Sequence, residues 1–293
     1  MNIDFIGRIR IWAAISGVII LISVIAFFAR GLNFGVEFTG GTSIDIKFKQ
    51  RPPVAQIRED LGNFHLEKSI IQPVGSKNTL IRFGESGRKL EMKVVSSLKK
   101  IFKVQDVSVQ QVGPEWGKQI TNAAIIALFL SLAGILIYIS LRFEFKMAVS
   151  AILALAHDII ITVGIYALVG REVAPATIAA LLTIMGYSLY DTIVVFHKIV
   201  ENSKNLQKET YGGMVNRSIN QVLTRSINTS LTTLLPVVAV LLFGGETLKN
   251  FAFALMIGLI TGAYSSIFIA PEILTIWKEI EPRYANLKRK YAQ

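Results

Sequence analysis

The sequence contains no cysteine among its 293 residues. This absence excludes a disulfide framework, a thiolate nucleophile and any metal centre with cysteine ligands, but it does not identify a cellular compartment. Histidine is scarce too, because only His65, His157 and His197 are present, and their spacing matches no common metal-binding motif. We therefore expect no metal ion and no cofactor.

Charge is also sparse, since 17% of the residues are charged and 52% are hydrophobic. This composition indicates a membrane protein. The net charge of +11 would suit a nucleic-acid-binding protein as well, but basic residues gather in the cytoplasmic loops of membrane proteins for topological reasons. The distribution of lysine and arginine, described below, implies no nucleic-acid-binding face.

Six apolar runs are long enough to cross a bilayer, which requires about 20 helical residues. They cover residues 11–29, 120–141, 147–169, 175–199, 219–243 and 251–270. Residues 1–10 form a short basic lead before the first run. A cleaved signal peptide is the alternative to an uncleaved anchor, but its apolar region is shorter, and Phe27 stands where a small residue should precede the cleavage site. We therefore expect an uncleaved first helix.

An even number of helices places both termini on one side, and the basic residues indicate which side. Only Arg30, Arg171 and Lys249 lie in the connections of one face. The opposite face has fourteen: Arg8, Arg10, Arg142, Lys146, Lys198, Lys204, Lys208, Arg217, Arg225, Lys278, Arg283, Lys288, Arg289 and Lys290. The positive-inside rule then predicts cytoplasmic termini and an extracytoplasmic polar domain after the first helix.

That polar domain has the periodicity of a small α+β fold. Strands are expected at 43–48, 69–74, 79–83 and 104–110, with helices at 54–62 and 88–102. The order βαββαβ is typical of a ferredoxin-like unit. We thus predict an α-helical membrane protein with six transmembrane helices and one inserted ferredoxin-like α+β extracytoplasmic domain. We expect four segments. Residues 1–30 form the cytoplasmic lead and the first transmembrane helix, and 31–119 form the extracytoplasmic domain. Residues 120–270 form transmembrane helices two to six, and 271–293 form a basic cytoplasmic tail.

Asp191 is the most informative residue, because it is the only carboxylate within the fourth apolar run. An ionisable side chain facing hydrocarbon is costly, so it normally faces protein or water and often marks an ion pathway. The alternative is a structural Asp that accepts hydrogen bonds from neighbouring helices. Arg225 has a similar expected depth and pairs with Asp191 directly or through water, or else it snorkels to lipid headgroups if its helix begins near Ile227.

His157 and Asp158 form a second polar pair near the middle of the third run and are further candidates for the proton or ion pathway; an interhelical hydrogen bond is the alternative. Thr162 lies one turn beyond Asp158, so its hydroxyl can bond to the Asp side chain or backbone. The two neighbours differ by about 100° around a helix, so both need not line one cavity. Small residues would allow the helices to approach closely: Gly186, Ser188, Gly258, Gly262, Ser265 and Ser266. Met214 and Ile219 suggest an amphipathic segment at the membrane surface.

Four motifs, in order, closely resemble the SecF family, a subunit of the SecDF translocation motor within the resistance-nodulation-division superfamily. They are GVEFTGGT (35–42), AHDIIITVG (156–164), IMGYSLYDTIVVFHKIVEN (184–202) and NRSINQVLTRSINTSLTTLLP (216–236). The resemblance implies that Asp191 and Arg225 conduct protons. Glu37, Tyr190 and His197 depart from the residues usual in the family. The glycine-rich motif contributes candidate interaction residues: Gly35, Glu37, Phe38, Gly40 and Gly41.

The resemblance implies that the chain works with SecD and uses a proton or sodium gradient to draw unfolded polypeptide through the SecYEG channel. It also implies the bacterial inner membrane, contact with membrane lipid, and a twelve-helix unit of which SecD supplies half. A small-solute exporter of the same superfamily is the alternative, although its extracytoplasmic region should be much larger. An intramembrane hydrolase lacks a recognisable nucleophile or metal pair.

Overall fold

The computed structural model describes residues 3–84, 87–206 and 209–291. The chain divides into two compact units, one from Phe34 to Ile126 and one from the flanking residues, Met1–Asn33 with Ala127–Gln293. The first half of the chain contains α1 (Ile9–Arg30), β1 (Asn33–Phe34), α2 (Val36–Thr39), β2 (Gly41–Phe48), α3 (Val54–Gly62), β3 (Ile70–Val74), β4 (Asn78–Phe83), α4 (Arg88–Ile101) and β5 (Val104–Val112). The second half contains α5 (Pro114–Arg142), α6 (Phe145–Val169), β6 (Glu172–Val173), α7 (Pro175–Ser203), α8 (Tyr211–Phe243), α9 (Glu246–Phe268), α10 (Ala270–Lys278) and α11 (Pro282–Tyr291).

Six helical stretches in the described part of the chain are long and apolar enough to span a membrane. They are Ile6–Arg30, Glu115–Arg142, Phe145–Val169, Pro175–Ser203, Tyr211–Phe243 and Leu248–Lys278. Each contains one of the six apolar runs that the sequence predicts. The helices extend beyond those runs, because backbone hydrogen bonding continues into polar flanks that a hydropathy argument does not count.

The smaller unit carries a four-stranded antiparallel sheet in the order β3-β4-β2-β5. Its central strand β2 pairs with both β4 and β5, as in the register Ile44 to Ile81 on one side and Ile44 to Val109 on the other. The two helices α3 and α4 bury apolar side chains against the sheet in one core: Ile44, Ile46, Phe48, Ile57, Leu61, Ile81, Phe83, Val94 and Leu98. This arrangement is the ferredoxin-like fold that the βαββαβ order predicts.

Close approaches between helices in the larger unit occur at glycines. A Cβ on Gly164 of α6 would lie 2.1 Å from Ser23 Cβ of α1, and one on Gly258 of α9 would lie 2.2 Å from Ile184 Cδ1 of α7. Gly262 also brings α9 near Ser188, where a Cβ would lie 3.0 Å from the serine Cβ. Gly186 differs from the expectation, because nothing lies within 4 Å of its Cβ position. Small residues therefore set the α1–α6 and α7–α9 distances, as small-residue packing in membranes requires.

One segment differs from the sequence-based description. Met214 and Ile219 are fully buried in the core of α8 and its neighbours, so they do not form an amphipathic surface segment. The helix instead begins at a cap, where Thr210 Oγ1 accepts a hydrogen bond from the Gly213 amide at 2.9 Å. The described part of the tail, to Tyr291, contains the helices α10 and α11.

Candidate functional site

Asp191 is buried inside the helical unit, with only 2% of its surface exposed. It lies in the middle of α7, on the helix face that packs against neighbouring helices. Its Oδ2 accepts a hydrogen bond from Ser230 Oγ of α8 at 3.4 Å. Ser230 also lies 3.4 Å from the Tyr187 hydroxyl, one turn before Asp191 on α7. Among the described residues this long bond is the one hydrogen bond to the Asp191 carboxylate, and a buried carboxylate with so little compensation favours taking up a proton or a cation.

Arg225 lies fourteen residues into α8, which begins at Tyr211 and not near Ile227. Its guanidinium donates to the Tyr190 hydroxyl at 3.2 Å. No hydrogen bond or ion pair joins Arg225 to Asp191 in the described part of the chain. Tyr190 immediately precedes Asp191, so the hydroxyl that holds the arginine belongs to the residue beside the carboxylate.

This geometry keeps the positive charge near the carboxylate without neutralising it by direct contact. The charge on Asp191 then depends on the distance to Arg225, because a charge–charge energy varies inversely with separation and is strong in a low dielectric. The hydrogen bond to the Tyr190 hydroxyl is the contact that holds the guanidinium in this position. Tyr190 is 47% exposed in this chain, so its hydrogen bond to Arg225 lies at the surface of the helical unit.

Asp158 is fully buried and accepts three hydrogen bonds or charge-assisted contacts. Its Oδ2 accepts from Ser188 Oγ of α7 at 2.5 Å and from Ser265 Oγ of α9 at 2.7 Å. Its Oδ1 lies 2.9 Å from His157 Nδ1. The two side chains contact each other although neighbouring positions differ by about 100° around a helix, because the histidine rotamer turns the ring onto Asp158. Asp158 is thus a compensated carboxylate that joins three helices.

Hydroxyl groups extend this network along α7 and α9. Thr192 Oγ1 lies 2.9 Å from Ser266 Oγ, and both hydroxyls contact the Ser188 backbone carbonyl at 3.1 Å. Thr162 Oγ1 donates to the Asp158 carbonyl at 2.7 Å, as its spacing predicts. Since Thr192 follows Asp191 directly, the network runs from Asp158 to the residue next to the other buried carboxylate.

Several of these contacts were not foreseen from the sequence. Ser188 and Ser265 were expected to permit close packing, and they also donate to Asp158. The signal that points to them is a hydroxyl in an apolar helix, which must find a hydrogen-bond partner inside the membrane.

A second unforeseen feature is an amide clamp near the start of α8. Asn216 Oδ1 accepts from the Phe5 amide at 2.7 Å, and Asn220 Oδ1 accepts from the Ile3 amide at 2.9 Å. Both side-chain amides also donate to the Ile3 carbonyl, at 3.1 and 2.9 Å. These bonds pair two side chains with the backbone before α1, so residues 3–6 are fixed to the helix that carries Arg225.

The glycine-rich motif belongs to the smaller unit. Gly40 and Gly41 have φ angles of +71° and +123°, which side-chain-bearing residues rarely adopt, and a Cβ on Gly41 would lie 2.5 Å from the Phe83 carbonyl oxygen. Gly35 is the N-cap of the one-turn helix α2, and Phe38 lies within that helix. Glu37 Oε1 accepts from Gln110 Nε2 of β5 at 3.4 Å. The motif therefore makes a tight turn against the sheet.

No group of three or more histidine, aspartate or glutamate side chains in residues 3–84, 87–206 and 209–291 is arranged to bind a metal ion. The site consists of carboxylates, hydroxyls and one guanidinium within apolar helices. Such groups can hold and pass protons or bind a small cation.

Comparison with known proteins gives two family matches. The model described as "Protein export membrane protein SecD/SecF, C-terminal" matches residues 93–280, and the "SecD/SecF GG Motif" matches residues 25–50. The first match contains Asp158, Asp191 and Arg225. The second contains the whole glycine-rich turn.

Individual proteins agree with these models. The protein translocase subunit SecF of Calditerrivibrio nitroreducens is 40% identical, covering 96% of both chains. The protein translocase subunit SecF of Streptomyces coelicolor is 39% identical, covering 98% of this chain and 80% of its own length. The crystal structure of SecDF from Thermus thermophilus, described as a translocon-associated membrane protein, superposes with a TM-score of 0.90 at 35% identity over 95% of this chain. This chain spans 39% of the length of that structure.

Proposed function

Because the chain belongs to the SecD/SecF family of protein export membrane proteins, we propose that it is a SecF-like subunit that couples an ion gradient to polypeptide export. The relatives are translocase subunits and match over nearly the whole chain, so the role lies in Sec protein translocation. The six apolar helices make it a multi-pass membrane protein.

The observation that carries the coupling proposal is the burial of Asp191 at 2% exposure with one long hydrogen bond from Ser230. A purely structural aspartate should resemble Asp158, which accepts short bonds from Ser188 and Ser265. Asp191 has much less compensation, so the balance between its charged and neutral forms responds to small movements of its neighbours.

Arg225 supplies such a movement in the proposed cycle. When Tyr190 holds the guanidinium, Arg225 stays out of direct contact with Asp191. A shift of α8 or a new Tyr190 rotamer would change the distance between the two charges. Taking up a proton at Asp191 would then alter the position that Arg225 prefers, and this reciprocity links ion movement to helix movement. The same geometry can serve H⁺ or Na⁺.

The proposed assembly has several parts. SecD would supply the second half of a twelve-helix unit, and the SecYEG channel and a translocating unfolded polypeptide would be the further partners; the surrounding lipid is that of the bacterial inner membrane. The positive-inside count supports cytoplasmic termini and an extracytoplasmic domain at 31–119, with helices over 120–270 and a basic tail at 271–293. The sheet and the Gly35–Gly41 turn of that domain would contact the polypeptide or SecD, and no nucleic acid or cofactor takes part.

Asp191→Asn tests the proposal, since asparagine keeps the size of the side chain and removes the exchangeable charge. We expect normal insertion and assembly, and loss of the gradient-stimulated part of export in membrane vesicles at equal complex abundance. Asp106→Asn is the matched control, because Asp106 lies in β5, outside the helices, and accepts a hydrogen bond from the adjacent Val107 amide at 2.9 Å. Full gradient-dependent export by Asp191→Asn would overturn the assignment.

A further inference from the structure

Another group of buried polar atoms lies where α1, α6, α9 and α10 meet, outside the Asp191 region. Three of them have no hydrogen-bond partner among the described residues: Trp12 Nε1, His157 Nε2 and Glu272 Oε1. Buried polar atoms in proteins are nearly always hydrogen-bonded, so three such atoms on helices that pack together need a common explanation.

Tyr264 of α9 connects these atoms. Its ring stacks on the His157 ring with centroids 6.0 Å apart and on the Phe268 ring at 4.9 Å. Its hydroxyl donates to the Trp12 carbonyl and contacts Ser16 Oγ, both at 3.1 Å. The Trp12 ring in turn packs on Phe268 at 4.3 Å. We call this line of side chains between His157 and Glu272 the aromatic seam.

Glu272 lies at the other end of the aromatic seam. It follows Tyr264 by eight residues and Phe268 by four, and the bond from the Ile273 amide to the Ile269 carbonyl at 3.0 Å carries the helix across the α9–α10 junction. Residues four apart share a helix face, so Glu272 extends the line that Tyr264 begins. Its side chain is 3% exposed.

The nearby basic side chains are already engaged. Lys278 of α10 bonds Glu144 and lies 3.5 Å from Glu281. Lys146 of α6 pairs with Glu281 at 2.9 Å and donates to the Trp277 carbonyl at 3.1 Å. In the described part of the chain, no lysine or arginine forms an ion pair with Glu272.

An unpaired ionised carboxylate is costly to bury, so a carboxyl group in this environment favours a bound proton, bound water or both. Water bridges such atoms when two to four polar groups converge on it. The seam provides an indole donor, an imidazole nitrogen, a tyrosine hydroxyl and a carboxyl group. These are groups that water can bridge, and the second nitrogen of His157, Nδ1, lies 2.9 Å from Asp158 Oδ1.

We propose that the aromatic seam is an internal hydrated site in which Glu272 holds an exchangeable proton, and in which water links Glu272 to the Tyr264 hydroxyl and to His157, the neighbour of Asp158. The site uses none of the Asp191, Ser230, Tyr190 or Arg225 side chains. The hydration of the aromatic seam and the proton on Glu272 do not depend on ion coupling at Asp191. Only a role of the seam in export rests on the proposed function.

The test is infrared difference spectroscopy of the full chain, assembled with its SecD partner in lipid vesicles, while the pH of the buffer is stepped. We expect a protonated-carboxyl band that shifts on transfer to D₂O and disappears in Glu272→Gln. Glu281→Gln is the control, because that acid is outside the membrane-spanning helices and pairs with lysines; the band should persist. Tyr264→Phe keeps the ring stacking and removes the hydroxyl, so the Glu272 band should change frequency.

Each outcome has a definite meaning. A band that survives Glu272→Gln, or that does not shift in D₂O, overturns the proposal, as does an unchanged frequency in Tyr264→Phe. If Glu272→Gln does not assemble, the frequency change in Tyr264→Phe decides, because Tyr264 belongs to the aromatic seam and not to the Asp191 region, whereas any protonated carboxyl group shifts in D₂O. If Asp191→Asn exports normally while the Glu272 band behaves as expected, the ion-coupling proposal fails and the hydrated site stands.

Discussion

Gly164→Ala should separate α1 from α6, because the space for a methyl group at this position is already filled by Ser23. An added Cβ would lie 2.1 Å from Ser23 Cβ, 2.4 Å from its Cα and 2.7 Å from its Oγ. Carbon atoms pack at about 3.5–4.0 Å, so the clash exceeds about 1 Å. The Cα belongs to the backbone, and a change of side-chain rotamer cannot move it. The two helices must therefore shift apart.

The expected cost follows from two opposing effects. Overpacking a well-packed interior typically costs about 1–3 kcal/mol. Replacing glycine by alanine within a helix favours the helix by about 1 kcal/mol. Gly17→Ala isolates the second effect, since Gly17 lies on α1 and nothing is within 4 Å of its Cβ position. The difference between the two variants should then be about 1–3 kcal/mol, with Gly164→Ala the less stable.

The assay is unfolding of the purified full chain by sodium dodecyl sulfate titration from mixed micelles, with the helical circular dichroism signal as readout. Ser23→Gly in the Gly164→Ala background provides a double-mutant cycle, because it removes the clashes with the serine side chain and leaves the clash with its backbone. We expect partial recovery. Equal stability of Gly164→Ala and Gly17→Ala would show that the packing of α1 on α6 does not depend on the absence of a side chain at Gly164.

Two further predictions concern the glycine-rich turn and the charged residues after α10. Gly41→Ala should destabilise the α+β domain by about 1–3 kcal/mol, because the φ of +123° strains a residue with a side chain and the added Cβ would lie 2.5 Å from the Phe83 carbonyl oxygen. Gly84→Ala is the control, since its Cβ would meet nothing within 4 Å. Amide hydrogen exchange in β2 measures the stability of both variants. The hydrogen bond from Lys146, together with the charge of Lys278, lowers the pKa of Glu281 below its ordinary value. The contribution of ionised Glu281 to the free energy of unfolding is therefore complete above the unfolded-state pKa. It is lost as the pH falls through the folded-state pKa. Thermal unfolding between neutral and acid pH should show this loss, and a pH profile unchanged in Glu281→Gln would contradict it.

The sequence by itself determined the architecture. The length and polarity of the six apolar runs require six spanning helices, since an unpaired backbone is too costly in hydrocarbon. The alternation of periods in the polar region determined the strands and helices of the ferredoxin-like fold. Asp191 could also be recognised from the sequence, because it is a carboxylate inside an apolar run. The run length, the periodicity and this exception are all local along the chain, so none of them requires the tertiary structure.

Only the tertiary structure decided which polar groups meet. Arg225 was expected near Asp191, but its guanidinium bonds Tyr190 while Ser230 bonds the carboxylate. Ser188 and Ser265 were recognised as small residues, and their donation to Asp158 follows from the distance between α7 and α9. These contacts join residues from 30 to 107 positions apart and depend on helix rotation, interhelical distance and side-chain rotamer. Hydrophobic periodicity fixes which face of a helix is buried, but it contains no information on which buried group on the next helix that face will touch.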